Sequence, residues 1–481
     1  MKPTATVSRR AFLKASAGAV LLGAIGRRAA AAKAEKPNII IIYADDQGYG
    51  DLACYGSKKL KTPNIDRLGA EGMRFTDFYV TAPVCTPTRS SLMTGCYPKR
   101  VGLHQHVLFP NRMQGIHPDE ITLAELLKGR GYATACIGKW HLGHLPQFLP
   151  TSNGFDQYLG IPFSNDMWLP ANMTFAKDVR LGPGLKVEDL KAEVKDRNKV
   201  PLMRNTEVID YPVDQTTLTE RYTEEAVRFI TDHKDGPFFL YLPHTMPHYP
   251  LHVSKRFKGK SAAGLFGDVI ECIDWSTGRI VDTIRQLGLA EKTIVVYTSD
   301  NGPAAGSAGP LRGKKGSTWE GGMREPCLMW GPGRIGAGKV CSELATIMDL
   351  LPTFAHLAGA TVPTDRVIDG KDIWPLMSGA PGAKSPYDAF FYYSARGNLE
   401  GVRQGDWKCR KPTARKPRRK KGQPAPPTPP EPKPELYNLK DDLGEQVNLA
   451  DKHPDVVKRL AALMAAFDAQ LVKTSRPIGQ G

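Results

Sequence analysis

The sequence predicts an α/β protein: a large, mostly parallel sheet sandwiched between helices, followed by a small C-terminal α+β subdomain. Three observations carry this expectation. Residues 38–44 (NIIIIYA) and 293–298 (TIVVYT) are continuous apolar runs, the pattern of strands buried on both faces of a parallel sheet. Runs of this kind alternate with helical segments, as repeated β–helix–β units do. Beyond about residue 385 the texture changes to short stretches at 389–393, 402–408 and 435–439 that read as antiparallel strands, closed by a helix at 455–471.

The elements follow in order. Thr62-Pro63 opens a helix to about residue 70, with threonine able to cap and proline suited to the first turn. Thr122 starts another, ended by the glycines at 129 and 131 ahead of a strand at 132–137. Residues 220–231 read as a helix, 237–242 as a buried strand and 266–287 as a long helix before the 293–298 strand. A chain of 481 residues accommodates a large domain and a smaller one. The boundaries are a catalytic domain at 37–384 and a C-terminal subdomain at 385–481. The latter is interrupted at 410–434 by a segment, basic and then proline-rich, that cannot bury a core.

Charge narrows the class. The net charge is +16, but residues 1–32 hold six Lys/Arg and residues 408–421 hold nine, neither with an acid, so the remainder is nearly neutral. Two local features are not a basic face, which argues against a nucleic-acid partner. Residues 1–32 read as an export signal: Arg9-Arg10 precede an apolar run and then small residues, a twin-arginine-type pattern that directs the chain to the periplasm or exterior. No later stretch approaches the roughly 20 apolar residues of a membrane span, so none is expected in the mature chain. Eight cysteines without a CxxC pair exclude a zinc ribbon or dense disulfide framework.

Chemistry-bearing residues gather where strands end, the place where open α/β sheets form their sites. Asp45-Asp46 follows the first core strand, and Asp300-Asn301-Gly302 follows the last. Each is also an ordinary turn sequence. Together they offer three carboxylates and an amide oxygen, a hard-donor set that favours Ca²⁺, then Mg²⁺, over zinc. Cys85-Thr86-Pro87-Thr88-Arg89 begins a helix, with Thr94-Gly95 at its far end, and Arg89 lies one turn from Cys85. Gly138-Lys139-Trp140-His141-Leu142-Gly143 follows a predicted strand; on an extended segment Lys139 and His141 would project to one side. Pro247-His248-Tyr249-Pro250 follows another strand, and residues 313–322 read GKKGSTWEGG. His244, Lys314, His104 and His106 are read as polar or solvated loop residues.

These motifs resemble the type I, formylglycine-dependent sulfatase family, in its arylsulfatase A-like branch and the alkaline-phosphatase-like superfamily. The resemblance spans roughly residues 37 to 475 and rests on CxPxR, the GKWHLG segment, the HxP element and the lysine loop, plus Ile161-Pro162-Phe163-Ser164-Asn165-Asp166. Position 88 is threonine where many members have serine, and 410–434 has no family counterpart. The resemblance implies hydrolysis of sulfate monoesters of an aryl alcohol or sulfated carbohydrate. It implies that a formylglycine-generating enzyme oxidises Cys85 to an aldehyde, whose hydrate attacks sulfur; collapse of the sulfated hemiacetal then expels sulfate. It further implies one Ca²⁺ held by Asp45, Asp46, Asp300, Asn301 and residue 85. Arg89 would pair with the hydrated aldehyde, Lys139 would bind sulfate, and His141 would take the hemiacetal proton. His248 or Lys315 would protonate the leaving group, with Ser164 near the substrate. A phosphate or phosphonate monoester hydrolase of the same fold, and a non-catalytic binder of sulfated glycans using the 408–421 patch, are the alternative readings.

Overall fold

The computed structural model describes residues 36–412 and 433–481. The export segment at 1–32, and all but the ends of the 410–434 insertion, lie outside the described residues.

Seven strands form the centre of a twelve-stranded mixed sheet: β1 (Asn38–Ala44), β2 (Met73–Tyr79), β3 (Ala133–Ile137), β4 (Gln157–Gly160), β5 (Phe238–Pro243), β6 (Thr293–Ser299) and β7 (Arg324–Trp330). Their spatial order is β2-β7-β6-β1-β5-β3-β4. β1 lies between β6 and β5, parallel to both, with Ala44 opposite Ser299 and Tyr43 opposite Pro243. Only β7 runs antiparallel within this centre, against β6 and β2. Parallel pairing in register puts the carboxyl ends of β1, β5 and β6 side by side, and β3 joins them beside β5.

Burial on both faces explains the apolar runs. Ile40, Ile42 and Ala44 pack under α1 (Pro63–Ala70), α4 (Leu218–Asp232) and α5 (Gly264–Gln286). Ile39, Ile41 and Tyr43 pack under α2 (Cys85–Thr94), α3 (Leu123–Lys128) and α6 (Leu350–Ala358). Successive side chains of a strand face opposite ways, so a strand with helices on both sides must be apolar at every position. Each fully buried isoleucine contributes about 1.5–3 kcal/mol.

Local signals held with two corrections. Thr122 caps α3 in a reciprocal box with Glu125. Thr62, expected to cap α1, does not; its hydroxyl accepts from the Ala53 N–H and donates to Asp66, and these two contacts claim it first. The expected single strand at 402–408 is a hairpin. Gly405 turns the chain at φ 56° between Leu399–Gln404 and Trp407–Arg410, which pair Gln404 with Trp407. With Phe390–Tyr393 and Glu435–Asn438 these strands form a four-stranded antiparallel sheet, against which α7 (Pro454–Lys473) packs Leu460, Met464 and Leu471.

Candidate active site

The ends of β1 and β6 deliver Asp45-Asp46 and Asp300-Asn301 side by side, all buried. Asp46 adopts φ 68°, a left-handed conformation that aspartate tolerates better than most residues. Its N–H donates to Asp300 Oδ1 at 3.1 Å, and Asn301 Nδ2 donates to Asp46 Oδ1 at 2.7 Å. Cys85 is the first residue of α2, where only the Cys85 and Thr86 N–H groups precede the helix ladder (Pro87 has none and Thr88 donates to Val84 O), and its Sγ lies 3.5 Å from Asp45 Oδ1. Arg89, one turn on and on the same helix face, places Nη2 at 2.9 Å from Asp300 Oδ2 and 3.6 Å from Asp45 Oδ2.

Beyond β3 the backbone makes close approaches that require glycine. Gly138 has φ 134°, and a Cβ there would meet Pro243 O at 1.9 Å. Lys139 then reaches Asp45 Oδ2 at 2.5 Å and Ser164 Oγ at 3.2 Å. The extended geometry expected through His141 is not what forms: His141 has φ 63° and turns away. Its Nε2 contacts Leu108 O at 2.9 Å. A carbonyl only accepts, so Nε2 carries the proton and Nδ1, buried and without a partner, is the basic atom. Thr86 Oγ1, beside Cys85, donates to His141 O at 3.0 Å and ties this segment to α2.

The opposite wall comes from three loops. His248 Nδ1 donates to Asn165 Oδ1 at 2.9 Å and to Tyr249 O at 2.6 Å. That leaves Nε2 facing inward, 3.2 Å from Ser164 Oγ and 3.7 Å from Asp46 Oδ2. Lys315 Nζ lies 2.7 Å from Asp46 Oδ1 and 3.8 Å from Cys85 Sγ. Ten of the eleven residues expected in the site are thus joined by side-chain contacts, and His141 is tied to the cluster through its carbonyl and Thr86.

Charges dominate the centre. Burial alone would raise the Asp45 carboxyl, but Lys139, His248, Arg89 and Lys315 together hold it well below the usual range. Asp300 moves the other way, pushed up by burial and by neighbouring Asp45 against the pull of Arg89. Burial and the Asp300 carboxylate push the Cys85 thiol far up against the pull of Lys139 and Lys315, so as a plain cysteine it is a protonated, weak nucleophile. His141 is held neutral by burial and by Lys139 and Arg89. Asn301 Oδ1 is buried without a partner amid three carboxylates. An orphan oxygen among converging anionic oxygens fits a hard divalent cation. Asp45, Asp46, Cys85 and His248 also offer donor atoms within 4.8 Å of one another.

Three acids (Asp45, Asp46, Asp300) face three permanent cations (Arg89, Lys139, Lys315), so a divalent cation and a sulfate dianion add no net charge. Asn165 was missed by sequence reasoning; its place directly after Ser164 was the available signal. His244 was expected in solvent but is fully buried, with Nε2 3.5 Å from Ser276 Oγ, because its N–H extends the β1 edge to Tyr43 O. Lys314 is exposed, and His104 and His106 lie in a loop, as expected. Among the described residues no disulfide forms, and no helix is long and apolar enough to cross a membrane.

Known proteins are similar to this chain over most of its length. Residues 37–360 match the Sulfatase family model and residues 385–481 match the C-terminal region of aryl-sulfatase. The chain is 40% identical to human (Homo sapiens) arylsulfatase A, over 94% of this chain and 92% of that protein. It is 39% identical to mouse (Mus musculus) N-acetylgalactosamine-6-sulfatase, over 81% of this chain and 74% of that protein. The crystal structure of Ps i-CgsB in complex with k-i-k-neocarrahexaose superposes with a TM-score of 0.76 at 29% identity, covering 90% of this chain and 93% of that one.

Proposed function

The chain belongs to the sulfatase family and is a sulfuric ester hydrolase, and on that premise we propose that it acts on a sulfated carbohydrate through formylglycine at position 85 and a bound Ca²⁺. One observation carries this: Cys85, Arg89, Lys139, Lys315 and the four strand-end oxygen donors share a single buried cluster.

Asp45, Asp46, Asp300, Asn301 and residue 85 would hold the cation, which when bound supplies a Lewis acid for sulfate oxygens. As formylglycine, residue 85 supplies a hydroxyl nucleophile that needs no second attack at sulfur to be released. The side chains have separable tasks. Lys139 Nζ and the free N–H groups of α2 bind sulfate oxygens. Arg89 fixes residue 85 against the strand-end acids. His141 Nδ1, the basic atom of its ring, accepts the proton released from residue 85. On the opposite wall, His248 Nε2 or Lys315 Nζ gives a proton to the departing oxygen, and Ser164 orients both Lys139 and His248.

Cys85 is 1% exposed, so a formylglycine-generating enzyme must reach its thiol before the chain closes. Twin-arginine export, which carries folded proteins, is compatible with that order. The carbohydrate assignment draws support from the relatives, one named for N-acetylgalactosamine-6-sulfate chemistry and one solved with a neocarrahexaose.

The test is direct. Intact-mass analysis should find the aldehyde at residue 85, and Cys85→Ala should abolish turnover of sulfated saccharides without changing the fold. Faster turnover of a matched aryl phosphate than of the aryl sulfate would favour the phosphate or phosphonate hydrolase reading. An unmodified thiol in active protein would refute the mechanism.

A further inference from the structure

Lys315 is carried on a loop without regular structure between β6 and β7, yet its ammonium must hold a position between Asp46 and residue 85. The catalytic domain contributes Gly316 N–H to Pro83 O at 2.9 Å and Lys315 N–H to Pro303 O at 3.2 Å, and holds Glu320 Oε2 through Tyr79 Oη at 2.5 Å and Arg324 Nη1 at 3.5 Å. Further anchors come from the C-terminal subdomain. Lys408, wholly buried, donates to Thr318 O at 3.0 Å and Glu320 Oε1 at 2.9 Å, and ion-pairs with Glu445 Oε1 at 2.8 Å. Two of the ammonium's three donors are thus used in hydrogen bonds, and Glu445 lies within ion-pair distance. Glu445 closes the circuit by accepting the Glu320 N–H at 2.8 Å. On the outer side Arg410 donates to Thr318 Oγ1 at 3.0 Å and lies 3.7 Å from the Trp319 ring centre.

We propose that Lys408 is a positioning residue for the sulfatase reaction: by fixing Thr318 and Glu320 it sets the place of Lys315, three residues upstream. A buried charge held by two hydrogen bonds and an ion pair is a stiff anchor, because displacement leaves desolvated donors unpaired. The C-terminal subdomain thereby acts on the reaction without touching substrate. Arg410 is an auxiliary anchor at the root of the basic insertion. The proposal rests on the assignment of Lys315 to the substrate side.

The experiment is a mutant cycle on the full-length matured enzyme, read as kcat/KM for an activated aryl sulfate and as inhibition by inorganic sulfate. Lys408→Met is expected to cost about tenfold or more, since sub-ångström misplacement of a substrate-side group is that damaging. In a Lys315→Ala background it should cost no more than about twofold, because interacting residues are non-additive. Hydrogen exchange at the Gly316 amide should accelerate while β1 and β6 stay protected. Should Lys408→Met fail to fold, Arg410→Gln answers the same question with a smaller loss of the same pattern. Equal losses in both backgrounds would mean a merely structural role and overturn the proposal. Lys315→Ala without effect by itself would remove Lys315 from the site, and the proposal with it.

Discussion

Lys139 Nζ and Asp45 Oδ2 meet at 2.5 Å, wholly buried, although they follow β3 and β1, strands that are separated by β5. In the proposed mechanism the pair joins the sulfate side of the site to its metal side. Breaking a buried pair by removing one partner costs about 3–5 kcal/mol, and removing a preorganised cation from the transition state costs about 3–4 kcal/mol. Lys139→Met should therefore lower both the melting temperature and kcat/KM, the latter by at least about a hundredfold. Calorimetry and aryl sulfate assays read the two effects separately.

Metal removal should act in the same direction. Asp45, Asp46 and Asp300 crowd one another, and a divalent cation relieves that repulsion. Dialysis against EGTA is expected to lower the melting temperature and activity, with Ca²⁺ restoring both at lower concentration than Mg²⁺. Asp300→Asn should abolish the Ca²⁺-dependent shift in melting temperature.

The positioning of His248 by Asn165 predicts an indirect effect. Asn165 Oδ1 accepts from His248 Nδ1 and its Nδ2 donates to Pro250 O at 2.9 Å, locking the ring. Asn165→Leu should cost about tenfold in kcat, the order seen when a supporting hydrogen bond is lost. It should add nothing in a His248→Ala background. The loss is expected to grow as the leaving alcohol becomes less acidic, measured across a series of aryl sulfates, if His248 is the proton donor.

Acid should destabilise the fold through two histidines. Burial depresses His144 and His244 from 6.5 to about 4. The folded protein keeps these rings neutral, whereas the unfolded chain protonates them below about pH 6.5. The stability they contribute is therefore complete above pH 6.5 and is lost as pH falls towards 4, by up to about 3 kcal/mol each. Denaturation midpoints between pH 7 and 4 should show a shallower fall in His244→Gln than in the parent.

The basic insertion gives a test of polymer attraction. With Lys408 and Arg410 buried and ion-paired, seven Lys/Arg at 411–421 remain, a local positive charge expected to attract polyanions over about 8–10 Å at ordinary salt. Arg410 must be retained, since it contacts Thr318. Deleting 413–432 is expected to raise KM for a sulfated polysaccharide, more at low salt, and to leave KM for a small aryl sulfate unchanged.

Much of this molecule was legible before any coordinates. Fully apolar strands announced a sheet covered on both faces, and acids directly after two such strands announced a site at their carboxyl ends. The errors share a cause. Thr62 gave up its cap for Ala53 and Asp66, His141 left the extended path for Leu108 O, and His244 went inward to Tyr43 O and Ser276; in each, a specific hydrogen-bond partner outweighed the expected local geometry.

What the sequence by itself determined was which side chains gather at the strand ends and the strands and helix that carry them. Period-two burial and one-turn helix spacing act over a few residues, and a linear string records them. Only the tertiary structure decided that Asn165 locks His248, that Nδ1 is the basic atom of His141, and that a lysine of the C-terminal sheet anchors the loop of Lys315. Those relationships join residues with no fixed sequence spacing, because they arise from which donors and acceptors are left unpaired once the layers close.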